Sequence, residues 1–309
     1  MRPGSKIIMA TQVIPGGSEG NRAAVGSDPR TDPAVAETDV EETFRHVIDE
    51  GRRRLSRRTT SLLATGLVGG IDVGTGVLAL LLVEWMTGGD ILLGGLAFSI
   101  GFVALALARS ELFTEDFLIP VSTVLARQAR FRMLIRLWIG TLVANLIGGW
   151  IFTFFIVKGY PEIDATAIKA GSYYVDLGIG GSSFCLAVLG GVVITLMTWM
   201  QRGAKSVVGT IVPAVAAGFL LGAGRLDHAI VASLLMFAAL HTGHAPFGYL
   251  DWAETAGWAT LGNLVGGIGL VTLLRAGQAP HILLRERANP AVGVPIGDKR
   301  RTEEPATEA

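Results

Sequence analysis

The chain has little charge and almost no cysteine. Only 17% of its 309 residues are Asp, Glu, Lys or Arg, against roughly 25% in an average soluble domain. The single Cys185 excludes an internal disulfide and a cysteine-built metal site. Formal net charge is zero, with 26 basic and 26 acidic residues, so no basic field points to nucleic acid. No apolar run follows the first basic residues, as a secretory signal would require. What the chain does have is apolar and small. Half of it is hydrophobic, and mean hydropathy is +0.50. Its 41 glycines follow no Gly-X-Y period. They suit helices that pack closely in a bilayer.

The charges gather in the two ends and the loops. Residues 1–35, rich in Gly, Pro, Ser and Asp, read as a disordered cytoplasmic tail. Residues 36–58 read as an amphipathic helix. Thr38 and Glu41 have capping-box spacing. Val40, Phe44, Val47, Ile48 and Leu55 recur on one face, and the helix ends in Arg52-Arg53-Arg54 and Arg57-Arg58. Such a helix is expected to lie on the membrane surface, with a gating role as the sharper alternative. Residues 59–275 form the membrane domain, and 276–309 read as a second disordered cytoplasmic tail.

Six apolar runs fill that domain, near 60–86, 91–124, 134–157, 183–201, 206–240 and 253–275. One helical span needs about 20 residues. The second and fifth runs exceed that, and each carries a polar interruption. In the second it is Arg109, Glu111, Thr114, Glu115 and Asp116; in the fifth, Arg225-Leu226-Asp227-His228. So many ionisable groups cannot face lipid, so both runs are expected to be broken helices facing protein or a water-filled path. Arginines flank alternate loops, around 52–58, 127–136, 202–205 and 275–287. The positive-inside rule then places both termini in the cytoplasm. The chain is expected as a multi-pass protein of the inner (cytoplasmic) membrane.

Thr141-Leu142-Val143-Ala144-Asn145-Leu146-Ile147-Gly148-Gly149 resembles Thr260-Leu261-Gly262-Asn263-Leu264-Val265-Gly266-Gly267. The polar breaks are separated by nearly the same distance as the two asparagines. The fold class predicted is therefore an all-α integral membrane protein of six segments, built as two inverted three-helix repeats. Transport sites in that design lie at the repeat interface.

His228 opens the half-helix after the second break and Thr114 holds the matching place in the first. A neutral imidazole can donate to an anion, and a protonated one adds the charge that makes a buried anion tolerable. The hydroxyl can donate to a substrate or accept from the ring. Glu111 and Asp227, just before them, read mainly as loop organisers, with proton relay as an alternative. Asn145 and Asn263 either glue helices together or face the site. Arg109 is expected to pair with Glu111 or Glu115. Asp72 has no obvious partner and is either pore-facing or paired between helices, and Glu84 is placed near the outer interface. His241 and His244, three apart near an outer loop, read as surface residues. No metal cluster, cofactor motif or nucleophile–base set is visible, so neither an enzyme nor a cofactor is expected.

Across roughly residues 36–275 the chain resembles the formate–nitrite transporter family. The residues that carry the likeness are Phe98-Ser99-Ile100-Gly101-Phe102, Glu111-Leu112-Phe113-Thr114, Thr198-Trp199-Met200, Asp227-His228 and Gly262-Asn263-Leu264-Val265-Gly266-Gly267. The resemblance implies an aquaporin-like fold and a homopentamer in which each protomer has its own pore for small monovalent anions such as formate, nitrite or hydrosulfide. By position, His228 would be the central pore histidine, Thr114 its loop partner, and Asn263 would lie beside them. Phe98, Phe102, Leu112, Phe113 and Leu221 would form hydrophobic constrictions. The chain departs from the family in Arg225-Leu226 before the acid-His pair, in Gly191 where an asparagine is common, and in lacking a vestibule lysine at Val175. The expected function is passage of weak-acid anions, with protons as co-partners and His228 assisting protonation. The competing readings are a non-conducting scaffold or sensor, and a neutral-solute channel. The aquaporin-like letters Asn289-Pro290-Ala291 fall in the polar tail and carry no weight.

Overall fold

The computed structural model describes residues 33–288, so most of the first expected tail and residues 289–309 lie outside the described residues. Among the described residues every regular element is helical. In chain order these are α1 (Pro33–Ser56), α2 (Thr59–Met86), α3 (Ile91–Ala108), α4 (Ile119–Leu125), α5 (Phe131–Gly159), α6 (Asp164–Asp176), α7 (Gly181–Gly203), α8 (Val207–Ala223), α9 (Ala229–Thr242), α10 (Tyr249–Leu264), α11 (Leu273–Gln278) and α12 (Pro280–Ala288). Among the described residues five stretches are long and apolar enough to cross a membrane: α2, α3, α5, α7 and the continuous helix Tyr249–Gln278. The fifth apolar run of the sequence is two shorter helices, α8 and α9.

Both polar interruptions break their helices. α3 stops at Arg109, whose left-handed φ of 56° lets its N–H reach Leu105 O. The chain then runs through Leu112 in an extended conformation and a 3₁₀ turn, Phe113–Phe117, and α4 begins with Pro120 in its first turn. α8 stops before Arg225, at φ 46°, and α9 opens with His228 as its N-cap.

Such breaks strip backbone groups of helical partners, and two asparagines replace them. Asn145 Oδ1 accepts from Phe113 N at 2.8 Å, while its Nδ2 donates to Glu111 O at 2.9 Å and Gly66 O at 2.7 Å. Asn263 repeats the pattern: Oδ1 accepts from Ala229 N at 3.0 Å, and Nδ2 donates to Asp227 O at 2.9 Å and Ala187 O at 2.7 Å. Both amides are fully buried. This clamp needs close backbones. A Cβ added at Gly191 would lie 2.2 Å from Asn263 O, so Gly191 has no room for the asparagine common in the family.

α1 packs against other helices of the protein. It begins earlier than the Thr38 cap, at Pro33, because proline suits a first turn and Ala-Val-Ala-Glu favours helix. Its apolar stripe is covered by protein: Phe44, Val47, Ile48 and Leu55 are all buried, with Phe44 edge-on to Trp199 of α7. Gly51 lets α1 cross tightly over α4, where Thr123 Oγ1 donates to Ile48 O at 3.2 Å. Arg54 of α1 is buried among the acids of the first break. Its Nη1 donates to Asp116 Oδ1 at 3.1 Å, its Nη2 to Glu115 Oε2 at 3.4 Å, and its Nε lies 3.3 Å from Glu111 Oε1. Burial alone would lower its pKa, but Glu111, Glu115, Asp116 and Glu50 reverse that and hold it above the ordinary arginine value.

The expected tail from residue 276 is also displaced. The helix runs on through Gln278, and α12 follows with Ile282 and Leu283 buried, each worth about 1.5–3 kcal/mol. Arg52 pairs with Glu286 at 2.8 Å, joining α12 to α1. α6 falls where the sequence suggested only a loop. Its residues Ala167, Ala170, Gly171 and Tyr174 face inward, with Gly171 close against α9. Their helical spacing is present in the sequence, hidden by the charged residues between them. Val265–Thr272 forms a π-helical segment in the last span, where Thr272 Oγ1 donates to Phe117 O at 2.8 Å.

Two outcomes follow for stability in detergent. Replacing Asn263 with Leu leaves Ala229 N–H, Asp227 C=O and Ala187 C=O unpartnered, at about 1–3 kcal/mol each. A clear fall in melting temperature is expected, whereas Thr260→Val, whose hydroxyl bonds only its own helix at Ala256 O, changes it little. Replacing Arg54 with Leu leaves the buried Glu115 and Asp116 carboxylates without an ion-pair partner and is expected to cost about 3–5 kcal/mol. Arg53→Leu, at a side chain 71% exposed, should cost no more than about 1 kcal/mol. Equal melting of Arg54→Leu and Arg53→Leu would contradict the buried cluster.

Candidate functional site

The two breaks meet at one hydrogen bond. Thr114 Oγ1, from the 3₁₀ turn, and His228 Nε2, from the N-cap of α9, are 2.7 Å apart, and both residues are fully buried. The other ring nitrogen fixes the tautomer. His228 Nδ1 accepts from Val231 N at 3.2 Å, so it carries a lone pair. The proton of the neutral ring is therefore on Nε2, which donates to Thr114 Oγ1. The Thr114 hydroxyl keeps its own proton, and among the described residues it donates to no other group.

Apolar side chains surround the pair. Phe98, Phe102, Leu112 and Leu221 are fully buried in one cluster that also holds Ile230 and Val231. The Phe98 and Phe102 rings stand edge to face at 5.6 Å. Phe113 belongs to the same cluster but turns its ring to Phe117, at 5.0 Å, and Trp138, at 6.5 Å. It packs the break against α5.

Two cavities border this layer. One, about 370 Å³, is lined by residues of α1, by Leu105 and Arg109 to Glu111 after α3, and by Arg202 of α7. The other is a void of about 10 Å³ beside Leu221, Tyr174, Glu84 and Arg225, room for about one water.

The acids just before Thr114 and His228 organise the breaks with their backbones. Glu111 O and Asp227 O each accept from a clamp asparagine. Among the described residues neither carboxylate bonds Thr114 or His228. Glu111 instead pairs with Arg57, in the link between α1 and α2, Nη1 to Oε1, at 2.7 Å. The expected partner, Arg109, is exposed and makes no ion pair among the described residues; its left-handed backbone turns it away, and Arg54 of α1 and Arg57 just after it take its place. Asp72 has a partner after all, since Ser110 Oγ donates to Asp72 Oδ2 at 2.5 Å. Glu84, two residues before the end of α2, is buried in protein, with Arg225 Nη2 3.8 Å away and the Arg225 guanidinium 5.1 Å over the Tyr173 ring. His241 is half-buried against Trp150, and His244 is exposed. Among the described residues no cluster of metal-ligating groups is present.

Arg54 and Arg57 are what sequence reasoning missed. The signal was a run of arginines on one helix and a run of acids in a buried break, each lacking a local partner. The arginines were assigned wholly to membrane orientation.

The formate/nitrite transporter family profile matches residues 41–277. The chain is 26% identical over 253 residues to an inner membrane protein, YfdC, of Escherichia coli (strain K12), covering 78% of this chain and 79% of that one. It is 24% identical over 241 residues to a formate channel, BtFdhC, of Bacillus thuringiensis, covering 73% and 89%. A pentameric formate channel with formate bound has a similar fold, with a TM-score of 0.56 at 19% identity over 70% of this chain and 95% of that one. The profile spans both breaks, both asparagine clamps and most of α1, and the chain belongs to the formate/nitrite transporter family.

Proposed function

We propose that this protein is a channel for small monovalent weak-acid anions, formate or nitrite among them, in the inner membrane. The observation that carries the reading is the buried Thr114–His228 hydrogen bond, which joins two helix breaks inside an apolar layer. The kinship with a formate channel supports the same substrate class. In this reading α8 and α9 are two halves of one crossing, so the chain crosses six times, as two inverted three-helix repeats in an aquaporin-like fold. The matching bonds of Asn145 and Asn263 support that symmetry. Both termini are cytoplasmic, and the assembly is a homopentamer, like the fold relative.

A bare anion would cross Phe98, Phe102, Leu112 and Leu221 at a large desolvation cost. Transfer of one proton removes most of it. The neutral ring donates through Nε2 and leaves the Thr114 O–H free to donate to an anion oxygen. A hydronium from the aqueous side protonates the held anion and becomes water. The neutral acid then passes the apolar layer and loses its proton beyond it. His228 thus assists protonation by holding the anion, and its own lone pair stays on Val231 N–H.

Replacing His228 with Phe removes the donor at similar volume. Uptake of formate, nitrite, acetate and hydrosulfide into vesicles is expected to fall on the order of a hundredfold. Thr114→Val leaves Nε2–H to meet the anion directly and should cost about tenfold. Equal flux in wild type and His228→Phe for every anion moved would remove His228 from the mechanism. No anion flux in the wild type would favour a non-conducting scaffold.

A further inference from the structure

The α1-side cavity holds more positive charge than its own acids can pair. Five arginines and three glutamates line it. Each of those glutamates is already engaged: Glu50 with Arg53 and Arg54, Glu111 with Arg54 and Arg57, Glu115 with Arg54. Arg54 also serves Asp116. Two guanidinium groups remain, Arg109 and Arg202, with no carboxylate at ion-pair distance among the described residues. Arg202 Nε is buried without a hydrogen-bond partner. A buried donor left in that state costs about 1–3 kcal/mol unless a ligand or water meets it. Arg109 sits in a left-handed conformation that a glycine would adopt without strain. The arginine there contributes its side chain to the cavity wall.

The space suits a ligand. The cavity is about 370 Å³, and a water occupies about 30 Å³ of bulk liquid. A small anion fits there with several waters. The site also stands where passage would begin. Leu105 lines the cavity and belongs to the buried cluster of Phe102 and Leu112, and Glu111 lines it three residues before Thr114.

We propose that Arg202 and Arg109 form a binding site for a small monovalent oxyanion at this mouth, where the anion waits, hydrated and still charged, before the apolar layer. Guanidinium forks match the oxygens of a carboxylate or nitrite. The site therefore favours planar oxyanions over hydrosulfide, which has no oxygen to meet a fork. The identity of the anion as transported substrate rests on the channel reading above; the binding site does not.

The test is a titration of the full-length protein in detergent with ¹³C-formate, read by ligand line broadening, and in parallel with inorganic phosphate at constant ionic strength. Arg202→Gln is expected to weaken formate binding by about tenfold, the loss of one charge-assisted hydrogen-bonding group. Arg202→Lys should recover part of it. Arg45→Gln, which removes the same charge from α1 away from the cavity, should match wild type. If melting shows that Arg202→Gln is misfolded, Arg109→Gln, at an exposed side chain, carries the test. In vesicles Arg202→Gln should raise the half-saturating formate concentration several-fold from the α1 side, with maximal flux kept. Formate binding equal to wild type in both Arg202→Gln and Arg109→Gln would overturn the site, as would phosphate binding there without formate binding. Arg202-dependent binding without uptake would leave the site standing and sink the channel reading. Uptake without Arg202-dependent binding would do the reverse.

Discussion

A helix broken inside a bilayer must find partners for its freed backbone groups, and this fold depends on how that is done. Water is absent there and each unpaired group costs several kcal/mol. Asn145 and Asn263 each supply one acceptor and two donors at the points where the chain leaves helical geometry. Neighbouring glycines let the backbones approach closely enough for single amides to span them. With the backbone satisfied, Thr114 and His228 are free to spend their polar atoms on each other and, in the proposed function, on an anion.

The first break has a second support that the second lacks. Its acids, Glu111, Glu115 and Asp116, are paired with Arg54 of α1 and with Arg57 just after that helix. α1 is in turn packed on α4 and joined to α12. Both ends of the described chain therefore bear on the segment that carries Thr114. The second break carries a single acid, Asp227, beside His228, and its Arg225 is loosely paired with Glu84. The two breaks share a backbone clamp but differ in charge, so they would present different faces to an anion.

Much of this was legible in the sequence. The excess length of two apolar runs, with acids and a histidine inside them, located both breaks. The matching Asn-containing segments marked a repeat, but the sequence left both amides as helix glue or as facing the site; their bonds to the broken backbone appear only in the fold. Other features were hidden for physical reasons. Ion pairs such as Arg54–Asp116 join residues far apart in sequence, and an arginine cluster near a membrane has a ready alternative explanation in loop orientation. α6 was masked by charges on its outer face, and α12 by the brevity of its Ile282-Leu283 contact. The tautomer of His228 depends on the Val231 N–H, a backbone group without any sequence signature.

In the proposed function Thr114, oriented by a neutral His228, holds the anion until it is protonated, and the neutral acid then crosses the apolar layer. The most direct measurement follows luminal pH and membrane potential together in proteoliposomes given an inward formate gradient, against protein-free vesicles. Crossing as formic acid should acidify the lumen faster than in protein-free vesicles while the potential stays near zero. A potential that turns negative inside without acidification would mean that bare formate crosses, and would contradict the account.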